Sequence, residues 1–243
     1  RVELHCHTKM SDMDAVSDAA ALVKRAAAWG QKAIAITDHG VVQAFPEAMH
    51  AAEKLDIKIL YGCEGYLVDD QPGDTEEDIK KARTYHIIFI AQNDVGRINL
   101  YRMVSESHLK YFHRRPRVPR SLLNECREGI LVGSACESGE LFRAIVEKKP
   151  DEELLEIAKY YDYLEIQPVG NNAFLIRDEK FPDIQNIQDL QDLNRKVVDL
   201  GERLGKPVVA TCDVHFLKPQ DGVYRRVVMK GKGFAGGDLR PPV

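Results

Sequence analysis

The sequence lacks several features that define common classes of protein. It has five cysteines, an odd number with no C-x-x-C spacing, which argues against a secreted disulfide framework and favours a reducing, cytoplasmic location. No apolar run approaches the roughly 18 residues of a membrane-spanning helix, so we expect no membrane span. The chain begins at Arg1 and stops after "GGDLRPPV", which we interpret as a piece of a longer protein.

Several functional motifs are also absent. The sequence contains no G-x-x-x-x-G-K-[ST], G-x-G-x-x-G or G-x-S-x-G string, so P-loop, dinucleotide-binding and serine-hydrolase interpretations have no support. Its 34 basic and 38 acidic residues give a net charge of −4, which argues against indiscriminate binding of nucleic acid. One segment departs from this balance. Residues 108–120, "HLKYFHRRPRVPR", are basic and form either a solvated loop or a phosphate-binding arm.

Short apolar segments alternate with helical ones along almost the whole chain. "AIAITD" is followed by "PEAMHAAEKL", and "YHIIFIAQN" by "VGRINLYRMVSES". Such alternation predicts parallel βαβ units in an α/β fold, and six or seven units favour a barrel or distorted barrel over an open sheet. The 243 residues fit a single domain, 1–243. Ser17 and Gly30 predict the start and end of the first helix, and the acidic stretch 69–81 predicts a surface linker or insertion point.

Titratable side chains accompany many of the predicted strands. "VELHCH" carries two histidines at i and i+2, which point to the same side of a strand. Active sites of parallel α/β folds gather where the strands end. The residues concerned are Asp38, His39, Glu64, His86, Cys136, Asp213 and His215, with His5 and His7 on the first strand. Taken singly, each has an ordinary interpretation as a packed histidine, a core cysteine or a paired carboxylate.

Taken together, these residue types predict a metal centre. Imidazole, carboxylate and thiolate are ligands for zinc, manganese and iron, and their number exceeds what a single four-coordinate zinc accepts. We therefore expect two to three divalent ions, with the thiolate of Cys136 favouring zinc at one position. A nucleophilic role for Cys136 in "GSACESGE" is the alternative, but no diagnostic His/Asn motif accompanies it.

The motifs are recognisable as a set. "HCHT" with Asp14 following, "TDHG", "YGCEGYLV", "TYH", "GSAC" and "ATCDVH" resemble those of the polymerase-and-histidinol-phosphatase (PHP) superfamily. The sequence around these motifs, including "RVPRSLL", "EGILVGSACESGELF" and "KPVVATCDVHFL", is similar to the sequence of the PHP domain in the PolC-type family of bacterial replicative DNA polymerases. The resemblance covers nearly the whole chain.

The resemblance implies a distorted (β/α)7 barrel with a trinuclear metal site. Matched motif by motif, the implied metal ligands are His5, His7, Asp14, His39, Glu64, His86, Cys136, Asp213 and His215. Glu64 would bridge two ions, and Glu64, Asp14 and Asp213 would be the catalytic carboxylates. Asp38 would support the ligands from behind, whereas Asp12 would be solvated.

The resemblance also implies a function. The chain would be a metal-dependent phosphoesterase module of a replicative polymerase, with a 3′ DNA end as candidate substrate and DNA and other polymerase domains as partners. Arg115, Arg117 and Arg120 of the basic segment would contact phosphate. A non-catalytic, metal-stapled scaffold is the second hypothesis and a free-standing phosphatase the third. Members of the family usually carry an exonuclease domain inserted near residues 69–81, a stretch that is far too short here to be one.

Overall fold

The computed structural model describes residues 1–231 as one α/β arrangement. Two short 3-10 helices, Val169–Arg177 and Pro219–Asp221, accompany the α-helices. The α-helices of this part of the chain are α1 Ala19–Ala28, α2 Phe45–Ala52, α3 Glu76–Lys81, α4 Asp94–Leu109, α5 Arg120–Glu125, α6 Glu140–Val146, α7 Asp151–Lys159, α8 Ile187–Leu204 and α9 Gly222–Gly231. Within residues 1–231, no helix combines the length and apolar character needed to cross a bilayer.

The strands form one six-stranded sheet and one two-stranded sheet. They are β1 Ala33–Ile36, β2 Lys58–Val68, β3 Tyr85–Ala91, β4 Phe112–His113, β5 Arg115–Pro119, β6 Ile130–Gly133, β7 Leu164–Ile166 and β8 Val208–Ala210. β2 is central: it pairs in parallel with β1 and β5, and antiparallel with β3. β3 pairs in turn with β6, and β7 pairs in parallel with β8.

Isolated bridges connect these sheets to each other and to the N-terminal segment. Glu3 bridges to Ile34 of β1, Gly133 of β6 bridges to Tyr163 beside β7, and Cys6 bridges to Val214 beyond β8. The amide of His7 donates to the Val214 carbonyl at 2.8 Å. The N-terminal segment therefore lies between β1 and the chain that follows β8. It pairs there through isolated bridges, and the strand predicted over "VELHCH" is not formed.

The expectation of parallel strands throughout is wrong for β3. This strand runs antiparallel to both of its neighbours, β2 and β6. The reason lies in the connection that precedes it: α3 has six residues and buries only Ile79, so it has too little apolar surface to cover a sheet as a crossover helix does. The first residues of β3 consequently lie at the same sheet edge as the last residues of β2.

Local sequence accounts for the ends of the longer helices. α1 stops before Gly30, whose φ of 73° lies in the left-handed region that glycine adopts without strain. The N-cap residue of α1 is Asp18 and not Ser17, which the sequence predicted. Asn186 caps the start of α8, and its side chain accepts from the amides of Gln188 and Asp189 in a capping box.

The buried core lies between the sheet and its helices. The β1 residues are all buried, as are the middle four of β3, so these short strands are apolar on both faces. Residues 71–78, within the predicted insertion point, are exposed, and Thr75 caps α3 there. An insertion at this point would meet only solvent, and that role for residues 69–81 stays a prediction.

Candidate metal centre

The residues of the cluster come from segments that meet at one edge of the sheet. His39 follows β1 and forms an isolated bridge to Glu64 in the middle of β2. His86 is the second residue of β3 and lies opposite Tyr66 of β2. Its presence here depends on the antiparallel direction of β3, because a parallel strand would carry its first residues to the opposite edge.

Glu64 is the centre of the cluster. Its side chain is buried, and four imidazoles surround it. One oxygen, Oε2, lies 2.7 Å from Nδ1 of His39 and 3.4 Å from Nε2 of His7. The other, Oε1, lies 2.8 Å from Nδ1 of His86 and 3.3 Å from Nε2 of His5. Each oxygen therefore faces two ring nitrogens, and the bridging role of Glu64 stays a prediction.

Two aspartates flank this centre. Oδ1 of Asp213 lies 3.2 Å from Nε2 of both His5 and His7. Asp213 has a φ of 54°, in the left-handed region that aspartate and asparagine adopt more readily than other residues with side chains. Oδ2 of Asp14 lies 3.1 Å from Nε2 of His39, and its Oδ1 lies 3.6 Å from Nε2 of His215.

Cys136 completes the predicted set. Its sulfur lies 3.4 Å from Nδ1 of His86 and 3.6 Å from Oε1 of Glu64, in the loop that follows β6. The neighbouring Glu137, which the sequence did not single out, lines the same cavity of about 50 Å³ and groups with Cys136 and Asp213. The structure thus brings all nine sequence-predicted ligands to one place.

The cluster fits divalent metal ions. Five of its buried polar atoms lie close to one another but have no partner in hydrogen-bonding geometry within the described residues: His5 Nε2, His7 Nε2, His39 Nδ1, Glu64 Oε2 and Asp213 Oδ1. Orphaned buried atoms of this kind carry a desolvation cost that a bound cation would offset. Several triplets have ligand atoms within 4.8 Å of one another, among them His7–His39–His215 and His39–Glu64–His86. Nitrogen, oxygen and sulfur donors together suit zinc, manganese or iron.

Protonation differs sharply between neighbouring histidines. Burial lowers the pKa of His7 to about 3, and the charges of His39 and His215 act in the same direction. Burial opposes the charged form of His39 as well, but Glu64 and Asp14 outweigh it and raise the pKa of His39 to about 10. His7 is therefore a neutral imidazole ready to bind a cation, whereas His39 exchanges its proton for one.

The acidic members are ionised except for the thiol. The surrounding histidines, with His86 and His39 first, hold the pKa of Glu64 well below its usual range despite burial. Burial raises the pKa of the Cys136 thiol well above its usual value, and Glu137 and Glu64 reinforce that shift. A cation at this sulfur would have to displace a proton.

Asp38 lies behind the cluster, where the sequence placed it. Its carboxylate accepts from the Thr8 amide at 2.6 Å and from the Ser11 hydroxyl at 2.7 Å. The Ser11 oxygen in turn lies 2.9 Å from Nδ1 of His7. The series of hydrogen bonds from Asp38 through Ser11 to His7 orients the His7 ring so that Nε2 points into the cluster.

Besides Glu137, two further residues of the site escaped the sequence analysis. Glu165 of β7 is buried, and its Oε1 lies 2.7 Å from Nδ1 of His5, which fixes that ring in the same way. The signal was a carboxylate inside an apolar strand, "YLEIQPV". Arg225 of α9 is also buried and lines the cavity, where its guanidinium contacts Asp14. No local pattern in the sequence pointed to it.

Arg117 and Arg120 of the basic segment make their contacts outside the cluster, whereas Arg115 packs on a ring beside it. Arg117 is buried and donates to the backbone carbonyl of His113, whereas Arg120 pairs with Asp69 and Glu140. Arg115 lies with its guanidinium carbon 4.7 Å from the centre of the Tyr66 ring. Among the described residues that line the cavity, none belongs to this segment. The geometry therefore lends no support to a phosphate-binding role for Arg117 or Arg120.

Comparison with known proteins agrees with the geometry. The chain is 32% identical along its whole length to "DNA polymerase III PolC-type" of Clostridium perfringens and spans 30% of that protein. Over 185 residues it is 44% identical to the PolC-type protein of Bacillus cereus, covering 74% of this chain and 13% of the relative. The chain thus spans less than a third of the curated relatives it matches. The Clostridium alignment runs over 435 positions against 243 residues here, so about 190 positions have no counterpart in this chain.

The fold also has a counterpart among solved structures. An amidohydrolase from Chromobacterium violaceum superposes with a TM-score of 0.51 at 14% identity, covering 88% of this chain and 87% of that one. This likeness concerns the fold alone. The family model described as the PHP domain matches residues 3–168, which include seven of the nine clustered residues. The chain therefore belongs to the PHP domain family.

Proposed function

We propose that this chain is the PHP portion of a PolC-type replicative DNA polymerase and acts there as a metal-dependent phosphoesterase. Its partners would be DNA and the other domains of that polymerase. The order of pairing from the N-terminal segment through β1, β2, β3, β6, β7 and β8, with bridges between the separate sheets, supports a distorted (β/α)7 barrel around the site.

One observation carries the proposal. Five imidazoles, three carboxylates and a thiol converge in a buried cluster whose innermost nitrogen and oxygen atoms lack hydrogen-bond partners among residues 1–231. The residues that would hold two to three ions of zinc, manganese or iron are His5, His7, Asp14, His39, Glu64, His86, Cys136, Asp213 and His215. When bound, such ions act as Lewis acids that polarise a phosphoryl oxygen.

The chain's own residues prepare this site in three ways. Glu165 and the Asp38–Ser11 pair fix the rings of His5 and His7, so little reorganisation is needed when a cation binds. The complete burial of those rings excludes bulk water from the centre. Glu64 holds a negative charge between the imidazoles at neutral pH.

The test is hydrolysis by the metal-loaded chain. We expect it to cleave bis(4-nitrophenyl) phosphate and to remove nucleotides from a 3′-mismatched DNA duplex in the presence of Mn²⁺ or Zn²⁺. Asp213→Asn should abolish both activities, because that carboxylate faces His5 and His7. Asp12→Asn is the matched control, since Asp12 is an exposed aspartate close to the cluster in sequence.

The outcomes separate the hypotheses. Cleavage of the small ester without cleavage of DNA would support the phosphoesterase activity and exclude the exonuclease activity. Cleavage of neither substrate by protein that carries two or three ions would leave the metal-stapled scaffold, and the proposed catalysis would be wrong.

A further inference from the structure

Arg225 occupies an unusual position for an arginine. It belongs to α9, near the C-terminal end of the described chain, yet its side chain is only 11% exposed and lines the cavity at the metal cluster. Its helical neighbours Tyr224 and Arg226 are exposed. Burying a guanidinium is costly unless its charge is used, so the inward direction of this side chain calls for an anion.

The contacts of Arg225 use only part of its hydrogen-bonding capacity. Nε and Nη2 both donate to Oδ1 of Asp14, at 3.2 and 2.8 Å. Nη1 makes no hydrogen bond within residues 1–231. A guanidinium presents five donors in a rigid fork that matches two oxygens of a phosphate. Arg225, which lines the cavity, therefore has donors that no described residue uses.

The charge balance of the cluster bears on the role of Arg225. Asp14, Glu64, Asp213 and a thiolate at Cys136 would together carry four negative charges, which two divalent ions neutralise. With two ions the site has no net positive charge left to attract a phosphate dianion, whereas a third ion would supply two charges of its own. Arg225 is within hydrogen-bond distance of a predicted ligand and supplies a positive charge at the cavity wall.

We propose that Arg225 is the residue that grips the phosphoryl group of the substrate, a role that rests on the proposed phosphoesterase function. The contact with Asp14 holds the guanidinium at the cavity, and the free donors take two phosphoryl oxygens. Arg225 is the only lysine or arginine among the described residues that line the cavity of about 50 Å³, so the grip is directed at the charge of the phosphoryl group. Arg225 would therefore serve any phosphate ester that reaches the ions.

The test measures binding of inorganic phosphate to metal-loaded protein by calorimetry. Arg225→Met should weaken phosphate binding and raise its dissociation constant by roughly 10-fold or more, because a charge-assisted hydrogen-bonded pair is lost. Arg225→Lys should recover part of that loss, since it keeps the charge without the fork. Arg226→Met, an exposed arginine on the same helix, should bind phosphate as the unaltered protein does. Metal content is measured on every sample.

Each result decides the role. Equal phosphate binding by Arg225→Met and the unaltered protein would overturn the proposal. Loss of metal from both Arg225 variants would assign the residue to holding Asp14 and would overturn it too. If the unaltered, metal-loaded protein binds phosphate and only the Arg225 variants fail, the proposal stands even where no ester is hydrolysed. Failure of the unaltered protein to bind phosphate at all would instead count against the proposed function, and the phosphate grip would fall with it.

Discussion

Chelation of bound metal is expected to lower the melting temperature of this protein by roughly 5–15 °C. A ligand held at 100 to 1,000 times its dissociation constant stabilises the folded state by about 3–4 kcal/mol, and each kcal/mol shifts a chain of this size by about 2–4 °C. The physical reason is the set of orphaned atoms on His5, His7 and Glu64, which a cation satisfies and which are left bare without it. Scanning calorimetry with and without a chelator measures the shift.

His7→Ala should remove most of this response, because the ring lies between Glu64 and Asp213 at the centre of the cluster. His50→Ala is the matched control: His50 is exposed on α2, and its Nδ1 lies 2.6 Å from the Pro46 carbonyl. An equal response in the two variants would show that the stabilising metal binds outside the cluster.

Glu64→Gln is expected to have the largest effect of any single substitution at the site. An amide cannot balance the charged ring of His39, whose raised pKa depends on this carboxylate, and removing one member of a buried ion pair costs about 3–5 kcal/mol. The loss of a carboxylate that faces four imidazoles should lower metal affinity by more than about 100-fold, beyond the effect of residues that only orient the ligands. We expect at most one ion to remain.

Elemental analysis of the Glu64→Gln variant measures that loss, and chemical denaturation measures its stability. Glu53→Gln, an exposed glutamate at the end of α2, should leave metal content and stability unchanged. A Glu64→Gln variant that retained the full metal content would contradict the central position of this carboxylate.

The residues of the cluster were accessible from the sequence because strand ends have a local signature. The i, i+2 spacing of His5 and His7 predicts two rings on one side of a strand. The segment forms isolated bridges at Glu3 and Cys6 and not a strand, yet the two ring centres lie 5.2 Å apart in the same cluster. His39 follows an apolar strand of four buried residues that the composition of "AIAITD" already indicated. A site residue can be predicted from the sequence when its position depends on only a few neighbouring residues.

What escaped the sequence analysis depends on contacts between distant segments. The direction of β3 leaves no mark on its apolar pattern, because a strand buried on both faces has the same composition either way. Glu165 meets His5 across 160 positions, and Arg225 meets Asp14 across 211. Arg117 illustrates the converse: a basic run predicts exposed cations, yet this guanidinium turns inward to a backbone carbonyl.

The most direct test of the account is the number of metal ions in metal-replete protein. Nine ligand side chains exceed the coordination of one ion, so elemental analysis of protein saturated with Zn²⁺ or Mn²⁺ should find two to three ions per chain. His7→Ala and Asp213→Ala should lower that number, whereas His50→Ala should not. A stoichiometry below one ion per chain under saturating metal would contradict the multinuclear centre.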